Sequence, residues 1–392
     1  MSYALLSAGF LVAALAAAVL LARAAGPRRP RWAAVAVAGV ALLLLTAVFD
    51  SLMIGLDLFD YAPGLISGMR IGLAPVEDFA YPAAVAVALP ALWAALTRRG
   101  GVPLGALLTQ ALVASRPVSW VNTAFPFAAA MLLTTREIDW LLVVGTLYYL
   151  VPYNLAMYGI NDVFDYESDA KNPRKGGIEG ALLAPEYHRP LLRLVLATNL
   201  PFLVLLLAAG GPAAWAAIAV STFAVIAYSA PRLRGKERPV WDSIISSTHF
   251  VSPAVVGLAL AGAPVDAGVI VLLAAFFLWG MAAHAFGAVQ DIIPDREAGI
   301  GSIATSFGAR RTVRLALALW LLAGLLVLAA PWPAPLAAVV AVPYLLNCAP
   351  WRSVPDADSA RTNRAWRRFI LLNYGSGFIV TLILILAWNS SA

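Results

Sequence analysis

The chain has 392 residues, of which 61% are hydrophobic and 12% charged, with a mean hydropathy of +0.82. A soluble domain carries about 25% charged residues, so this composition excludes an ordinary soluble protein, a disordered chain and a collagen-like one. What remains is an all-α polytopic membrane protein, because the apolar stretches are continuous rather than alternating as in a β-barrel. The single cysteine, Cys348, excludes a disulfide scaffold, and three histidines argue against a multi-histidine metal centre.

A membrane span needs roughly 20 apolar residues. Twelve segments qualify, at about 3–22, 32–52, 79–97, 118–135, 140–160, 190–209, 212–229, 241–261, 268–288, 312–330, 333–349 and 369–388. The first lacks the basic start and small-residue cleavage site of a signal peptide. The charges agree with twelve crossings: apart from Arg70 and Arg136, the Lys and Arg residues, 27 in all, fall in alternate loops or at the ends that face them. The positive-inside rule puts that face in the cytoplasm and both termini outside, in the cell membrane. The net charge of +6 then orients the protein, and no nucleic-acid partner is expected.

In chain order, Asp50 sits near the end of the second span, and the loop that follows holds Asp57 and Asp60, then Glu77 and Asp78 in Pro75-Val-Glu77-Asp78. After the third span, Thr97–Gly105 reads TRRGGVPLG and is the best linker candidate. It divides a three-helix piece, residues 1–100, from a nine-helix piece, residues 101–392.

The larger piece carries two acidic motifs, both at cytoplasmic ends of spans. The first is Asn161-Asp162-Val-Phe-Asp165-Tyr-Glu-Ser-Asp169, and the second is Asp291-Ile-Ile-Pro-Asp295. Spacings of three and four gather oxygens on one helix face, although Pro294 can kink the second helix. Carboxylates at this density repel unless a divalent cation lies between them. Mg²⁺ takes hard oxygen ligands from carboxylates, water and phosphate, so two carboxylate sets suit a diphosphate held between metal ions. Basic residues would bind the remaining phosphate oxygens. The candidates are Lys171, Arg174 and Lys175 after the first motif, Arg232, Arg234 and Lys236 in the next cytoplasmic loop, and Arg296 in the second motif. Simple topogenic charge is the alternative for each.

From about Ser115 onward the chain resembles the UbiA superfamily of intramembrane prenyltransferases. The matching stretches are Ser115-Arg116-Pro117, the acidic motif at 161–169, Tyr228-Ser229-Ala-Pro231-Arg232-Leu-Arg234-Gly-Lys236-Glu237, and the motif at 291–295. One departure is Gly299, where some relatives carry a third acid; Glu297 is close but out of register. The resemblance implies that Asn161, Asp162, Asp165, Asp169, Asp291 and Asp295 hold Mg²⁺ on an allylic diphosphate. Ionisation would give an allyl cation in a dry helical chamber, attacked by an electron-rich carbon of the acceptor.

Aromatic faces stabilise such a cation. Tyr148, Tyr149, Tyr153 and Tyr158 precede the first motif, with Asn154 two turns before Asn161. Helix packing is the competing reading for the tyrosines. Asn122, in the fourth span, either faces the cavity or bonds another helix. His284, two turns before Asp291, could face the chamber and remove a terminal proton. An interhelical hydrogen bond is the alternative for both His284 and His249.

The first hundred residues resemble the small three-helix lycopene cyclase domains, chiefly through Pro75–Asp78. Glu77 and Asp78 would then supply the acid or base of a redox-neutral ring closure, unless they only mark the outer interface and pair with Arg70. A carotenoid long enough to span the bilayer presents one end to each face, which reconciles the two acid sets. Such cyclases usually employ two three-helix units, which implies a second small cyclase subunit as membrane partner. The combination resembles the lycopene elongases of actinobacteria, which implies dimethylallyl diphosphate as donor and lycopene as acceptor. A prenyltransferase for a quinone or aromatic acceptor, with a non-catalytic extension, is the alternative. A transporter is disfavoured because the acids cluster at one membrane face rather than at the midplane.

Overall fold

Proline and polar caps set where several helices begin. Pro152, Pro185 and Pro212 each occupy the first helical position, where the missing N–H has no role. Asp139 and Asp266 cap two further helices by accepting the N–H of Leu142 at 2.7 Å and Val269 at 2.8 Å. A computed structural model describes residues 3–25, 31–62, 64–96, 102–170 and 182–390. The chain divides into two compact units, Met1–Ala106 and Leu107–Ala392. The expected linker at 97–105 falls partly on residues 97–101, which lie outside the described residues.

The first unit has three long helices: α1 (Tyr3–Ala25), α2 (Trp32–Gly55) and α3 (Ala80–Leu96). Helices α1 and α3 meet through the small side chains of Ala18, Ala22 and Ala91. Close approach of small residues is how helices associate where lipid removes the hydrophobic drive. Helix α2 buries none of its residues within the protein. Between α2 and α3 the chain makes a two-residue antiparallel ladder, Arg70 opposite Pro75 and Ile71 opposite Ala74. Gly72, at φ +67°, turns the ladder, and the Leu73 N–H donates to Ser51 Oγ at 2.9 Å.

The second unit begins with α4 (Leu104–Ala114), α5 (Trp120–Thr135), α6 (Trp140–Leu150), α7 (Pro152–Phe164) and the single turn α8 (Tyr166–Asp169). It continues with α9 (Pro185–Ala209), α10 (Pro212–Ser229), α11 (Trp241–Leu260), α12 (Ala267–Val289), α13 (Ile292–Glu297) and α14 (Ile303–Phe307). The last three are α15 (Ala309–Val327), α16 (Ala341–Cys348) and α17 (Asn363–Ser390). One core gathers residues of α4 to α7 and α9 to α11, and a second gathers α12 to α17. Helix α11 packs on α5, α10 and α12 and so joins the two halves. Its small polar residues bond across these seams, Ser247 Oγ to Phe277 O at 2.6 Å and Ser252 Oγ to Ser221 Oγ at 2.9 Å.

Among the described residues, eleven helices are long and apolar enough to cross a membrane. The twelfth expected span, 312–330, is helix α15, which starts earlier, at Ala309. Its first turns therefore carry Arg310, Arg311 and Arg314, and these dilute its apolar character. The expected span at 140–160 is broken between α6 and α7 at Val151-Pro152.

Tyr153 and Asn154 belong to the core rather than to a cavity wall. Asn154 is fully buried, and its Nδ2 reaches Thr123 Oγ1 at 2.7 Å, Tyr149 O at 2.8 Å and Leu150 O at 3.1 Å. These bonds close the break between α6 and α7, where Pro152 removes a ladder donor. Tyr148, Tyr149 and Tyr153 pack on one another with centroids 4.9 to 6.0 Å apart. Asn154→Ala is expected to cost about 1–3 kcal/mol of stability, read as earlier thermal unfolding in detergent; an unchanged melting curve would contradict this role.

Candidate active site

The two acidic motifs meet at one cavity. In the first, the ladder runs on past the end of α7: Asp165 N–H donates to Asn161 O at 2.9 Å, and Asp169 N–H to Asp165 O at 2.8 Å. Asn161, Asp165 and Asp169 therefore keep helical spacing, and all three line the cavity. In the second, α12 ends at Val289, and Asp291 opens the short helix α13. Pro294 falls in the first turn of α13, where a proline is tolerated, so no interior kink results. The Asp295 N–H donates to Asp291 O at 2.9 Å, and both side chains line the same cavity.

Three of the acids are deeply placed: Asp162, Asp165 and Asp169 are 1%, 7% and 8% exposed. Asp162 differs from the others. It does not line the cavity, and Arg116 Nη2 donates to its Oδ1 at 2.9 Å. The Arg116 guanidinium also lies over the Tyr158 ring, 4.2 Å from its centroid. Asp162 thus anchors Arg116, which itself lines the cavity.

Lys236 reaches the first motif from the loop between α10 and α11. Its ammonium is ion-paired with Asp165 Oδ2 and donates to Asn161 Oδ1 at 3.3 Å. Ser229 Oγ donates to the same Asn161 oxygen at 2.9 Å. Arg234 approaches Asp165 at 3.9 Å and pairs with Glu237. The loop is strained: Arg232, Arg234 and Val240 all have positive φ, at 76°, 37° and 75°. Gly235 packs closely there: a Cβ would meet Ile245 Cδ1 at 2.3 Å and Ala227 O at 3.1 Å, so the Ile245 side chain would have to move. Gly301 is required on the facing loop, where a Cβ would lie 2.5 Å from Glu237 O.

Several expected ligands stand elsewhere. Arg296 pairs with Asp356 at 2.8 Å and donates to Thr305 O at 2.9 Å, so it fastens α13 and does not line the cavity. Arg232 is exposed and away from the cavity lining. Lys171, Arg174 and Lys175 lie outside the described residues.

The cavity has a volume of about 1660 Å³, beyond the 300–1,000 Å³ of ordinary small-molecule sites. Asn122, Tyr158 and His284 line it. The sequence missed its aromatic wall, built by Trp279, Trp320, Tyr344, Trp366 and Phe369. These rings pack together, with Trp366 stacked on Phe369 at 4.8 Å and Trp320 on Tyr344 at 5.6 Å. Aromatics on α12, α15, α16 and α17 cannot be told from lipid-facing ones by spacing alone. Arg116 and Tyr228 were visible only as motif residues without a role.

Five hard-oxygen side chains, Asn161, Asp165, Asp169, Asp291 and Asp295, thus face one space. Among the described residues no three His, Cys, Asp or Glu side chains converge to cage an ion alone. That pattern fits a hard cation sharing its coordination with water and a phosphate-bearing ligand.

A model of the UbiA prenyltransferase family matches residues 123–374, all of them in the second unit. This chain belongs to the UbiA prenyltransferase family. It is 47% identical to a Dietzia protein, the C(50) beta-cyclic carotenoids biosynthesis protein LbtBC, over 99% of each chain. It is 49% identical to the lycopene elongase/hydratase of Corynebacterium glutamicum, over 70% of this chain and 96% of that protein. The fold is similar to a UbiA homolog from Archaeoglobus fulgidus solved with GPP and Mg²⁺ (TM-score 0.51, 20% identity, 68% of this chain and 99% of that one). The protein is therefore a multi-pass membrane prenyltransferase.

In the first unit, the Tyr61 hydroxyl donates to Asp78 Oδ2 at 2.6 Å, and the Ser67 N–H donates to Glu77 Oε1 at 2.6 Å. Burial and the bond to Asp78 hold the Tyr61 phenol well above its usual pKa. Arg70 donates to Leu73 O at 3.2 Å, and among the described residues it pairs with neither acid. Glu77 is 7% exposed, and its Oε2 has no hydrogen-bond partner.

Two substitutions separate buried from exposed basic residues. Arg116→Ala removes the arginine paired with the buried Asp162 carboxylate and is expected to cost about 3 kcal/mol. Arg232→Ala is expected to stay within about 0.5 kcal/mol of the parent. Thermal unfolding in detergent compares them, and equal effects would contradict the assignment of Arg116 to Asp162.

Proposed function

We propose that the second unit transfers dimethylallyl groups from dimethylallyl diphosphate to the ends of lycopene. The first unit is then one subunit of the cyclase that closes the rings of the fifty-carbon carotenoid. The observation that carries this reading is the cavity itself. It holds carboxylates and Lys236 together with a wall of packed aromatic rings, in a volume suited to a long hydrocarbon. The names of the relatives point the same way. One similar over the whole chain belongs to fifty-carbon cyclic carotenoid synthesis, and one similar over 70% is an elongase/hydratase.

Bound through Asn161, Asp165, Asp169, Asp291 and Asp295, Mg²⁺ would supply Lewis-acid charge to the leaving diphosphate. Lys236 and Arg116 bear on the same region as cations for phosphate oxygens, each already oriented by a carboxylate. The aromatic wall faces the hydrocarbon, where its rings favour a developing cation and exclude water that would capture it. The terminal double bond of lycopene then attacks the allylic carbon. Positive-inside orientation puts the diphosphate end in the cytoplasm, where the donor is soluble.

In the first unit, Glu77 and Asp78 supply the proton chemistry of ring closure, with Tyr61 holding Asp78. A three-helix unit whose α2 buries nothing internally suits assembly with a second small cyclase subunit. Tethering both activities raises the local concentration of a lipid-soluble intermediate.

Expression in a lycopene-accumulating host, followed by pigment mass spectrometry, tests the reading. Alone, the chain is expected to give acyclic products one and two five-carbon units heavier than lycopene. Unchanged lycopene in active membranes supplied with Mg²⁺ and dimethylallyl diphosphate would sink it. Asp165→Ala and chelation of Mg²⁺ should each abolish elongation. With a second cyclase subunit present, Glu77→Ala should spare elongation and remove only the rings; indifference to that change would leave the first unit without its proposed role.

A further inference from the structure

The two histidines of the cavity are bonded in opposite ways. His284 is fastened at both ring nitrogens: Nε2 lies 3.2 Å from the Tyr228 hydroxyl and Nδ1 lies 3.1 Å from Ser243 Oγ. Ser243 Oγ in turn donates to Asp242 Oδ1 at 3.3 Å, and Asp242 Oδ2 accepts the Ile303 N–H at 2.7 Å. With Tyr228 donating to Nε2, every proton in this chain points toward Asp242, and His284 has no acceptor left for the cavity. His249 has no such bonds. It is 3% exposed, it lines the cavity, and neither ring nitrogen has a hydrogen-bond partner. The Tyr228 ring stands edge-on to it at 5.4 Å.

A buried imidazole with neither nitrogen satisfied is costly, and such groups normally meet a ligand or an ordered water. A ligand or a water in the cavity is therefore what His249 is free to engage. A hydrocarbon at rest offers nothing to a nitrogen lone pair. A hydrocarbon cation does, because the C–H bonds beside the positive carbon become strongly acidic. We propose that His249 is the proton acceptor that ends the coupling step, a catalytic residue of this site. The inference rests on the transfer reaction proposed above.

The balance of the step is as follows. The C–O bond of the allylic diphosphate breaks, and its electron pair leaves with the diphosphate. The terminal π pair of the polyene forms the new C–C bond and leaves a tertiary cation. A neighbouring C–H pair becomes a C=C bond, and its proton passes to the neutral imidazole. If a water in front of His249 adds to the cation instead, the O–H proton passes to the same nitrogen. The imidazolium later returns its proton to water, and no oxidant or reductant is needed. The position suits the order of events. His249 lies eight residues into α11, about 12 Å along the helix from its Lys236 end, so it stands inward of the departing diphosphate.

The test uses the full chain in membranes with lycopene, Mg²⁺ and dimethylallyl diphosphate, with dimethylallyl thiolodiphosphate as an unreactive binding probe. If the parent protein forms no heavier pigment, the functional reading itself fails. If it does, His249→Ala is expected to bind the probe normally and to turn over roughly 100-fold more slowly or worse. Added imidazoles should restore turnover, and faster with more basic ones, which a merely structural role would not produce. Near-parental turnover, or a loss that no imidazole relieves, overturns the proposal. If His249→Ala fails to bind the probe, His249→Gln decides: it keeps a polar side chain but no proton acceptor. It is expected to bind and stay slow, and an active His249→Gln overturns the proposal.

Discussion

A carboxylate inside a protein needs a partner for its charge, and the second unit is arranged around that need. Arg116 answers Asp162, and Lys236 answers Asp165. Each cation is delivered by backbone that is itself unusual. Arg116 adopts a left-handed conformation at φ 51°, and the Lys236 loop contains three non-glycine residues with positive φ. Gly235 and Gly301 let that loop press against Ile245 and against the loop after α13. Strain of this kind persists only where surrounding structure over-determines it. Here it keeps both cations beside their carboxylates at the charged end of the cavity.

The cavity runs from that charged region to a wall of aromatic rings. Under the proposed function the charged end would orient the diphosphate, and the aromatic end would shield a cation from water. Helix α11 carries the transition between them. Its Asp242 and Ser243 lie at the end near the Lys236 loop, and its His249 lies deeper. The polar side chains of α11 also bond across to α10 and α12, so the helix both lines the chamber and holds the two halves together.

The first unit is built on a different economy of contacts. Three alanines join α1 to α3, and α2 contributes nothing to a core. Its order is concentrated in the loop before α3, where Tyr61, Ser67, Glu77 and Asp78 bond to one another. A unit with so little internal packing leaves long apolar faces exposed, as a membrane-spanning piece does in lipid.

The sequence by itself determined that this is a helical membrane protein and where most of its spans fall, and it singled out a small set of acids. Scarcity of charge makes any membrane-edge carboxylate conspicuous, so Asp165, Asp169, Asp291 and Asp295 were legible as a set. It also carried the resemblance to the family that the second unit belongs to. Three-dimensional pairing decided the rest. Asp162 shares the motif and the helix face of its neighbours, yet Arg116, 46 residues away, takes its charge. Arg296 sits inside a motif, yet Asp356 turns it aside. Tyr153 and Asn154 precede the motif, yet they fill the break at Pro152. Nothing in the spacing of Trp279, Trp320 and Trp366 sets them apart, yet α12, α15 and α17 bring them to one wall. The physical reason is common to all of these. Spacing along a helix fixes direction around its own axis, but a side chain's role depends on which distant partner competes for it, and only packing supplies the partner.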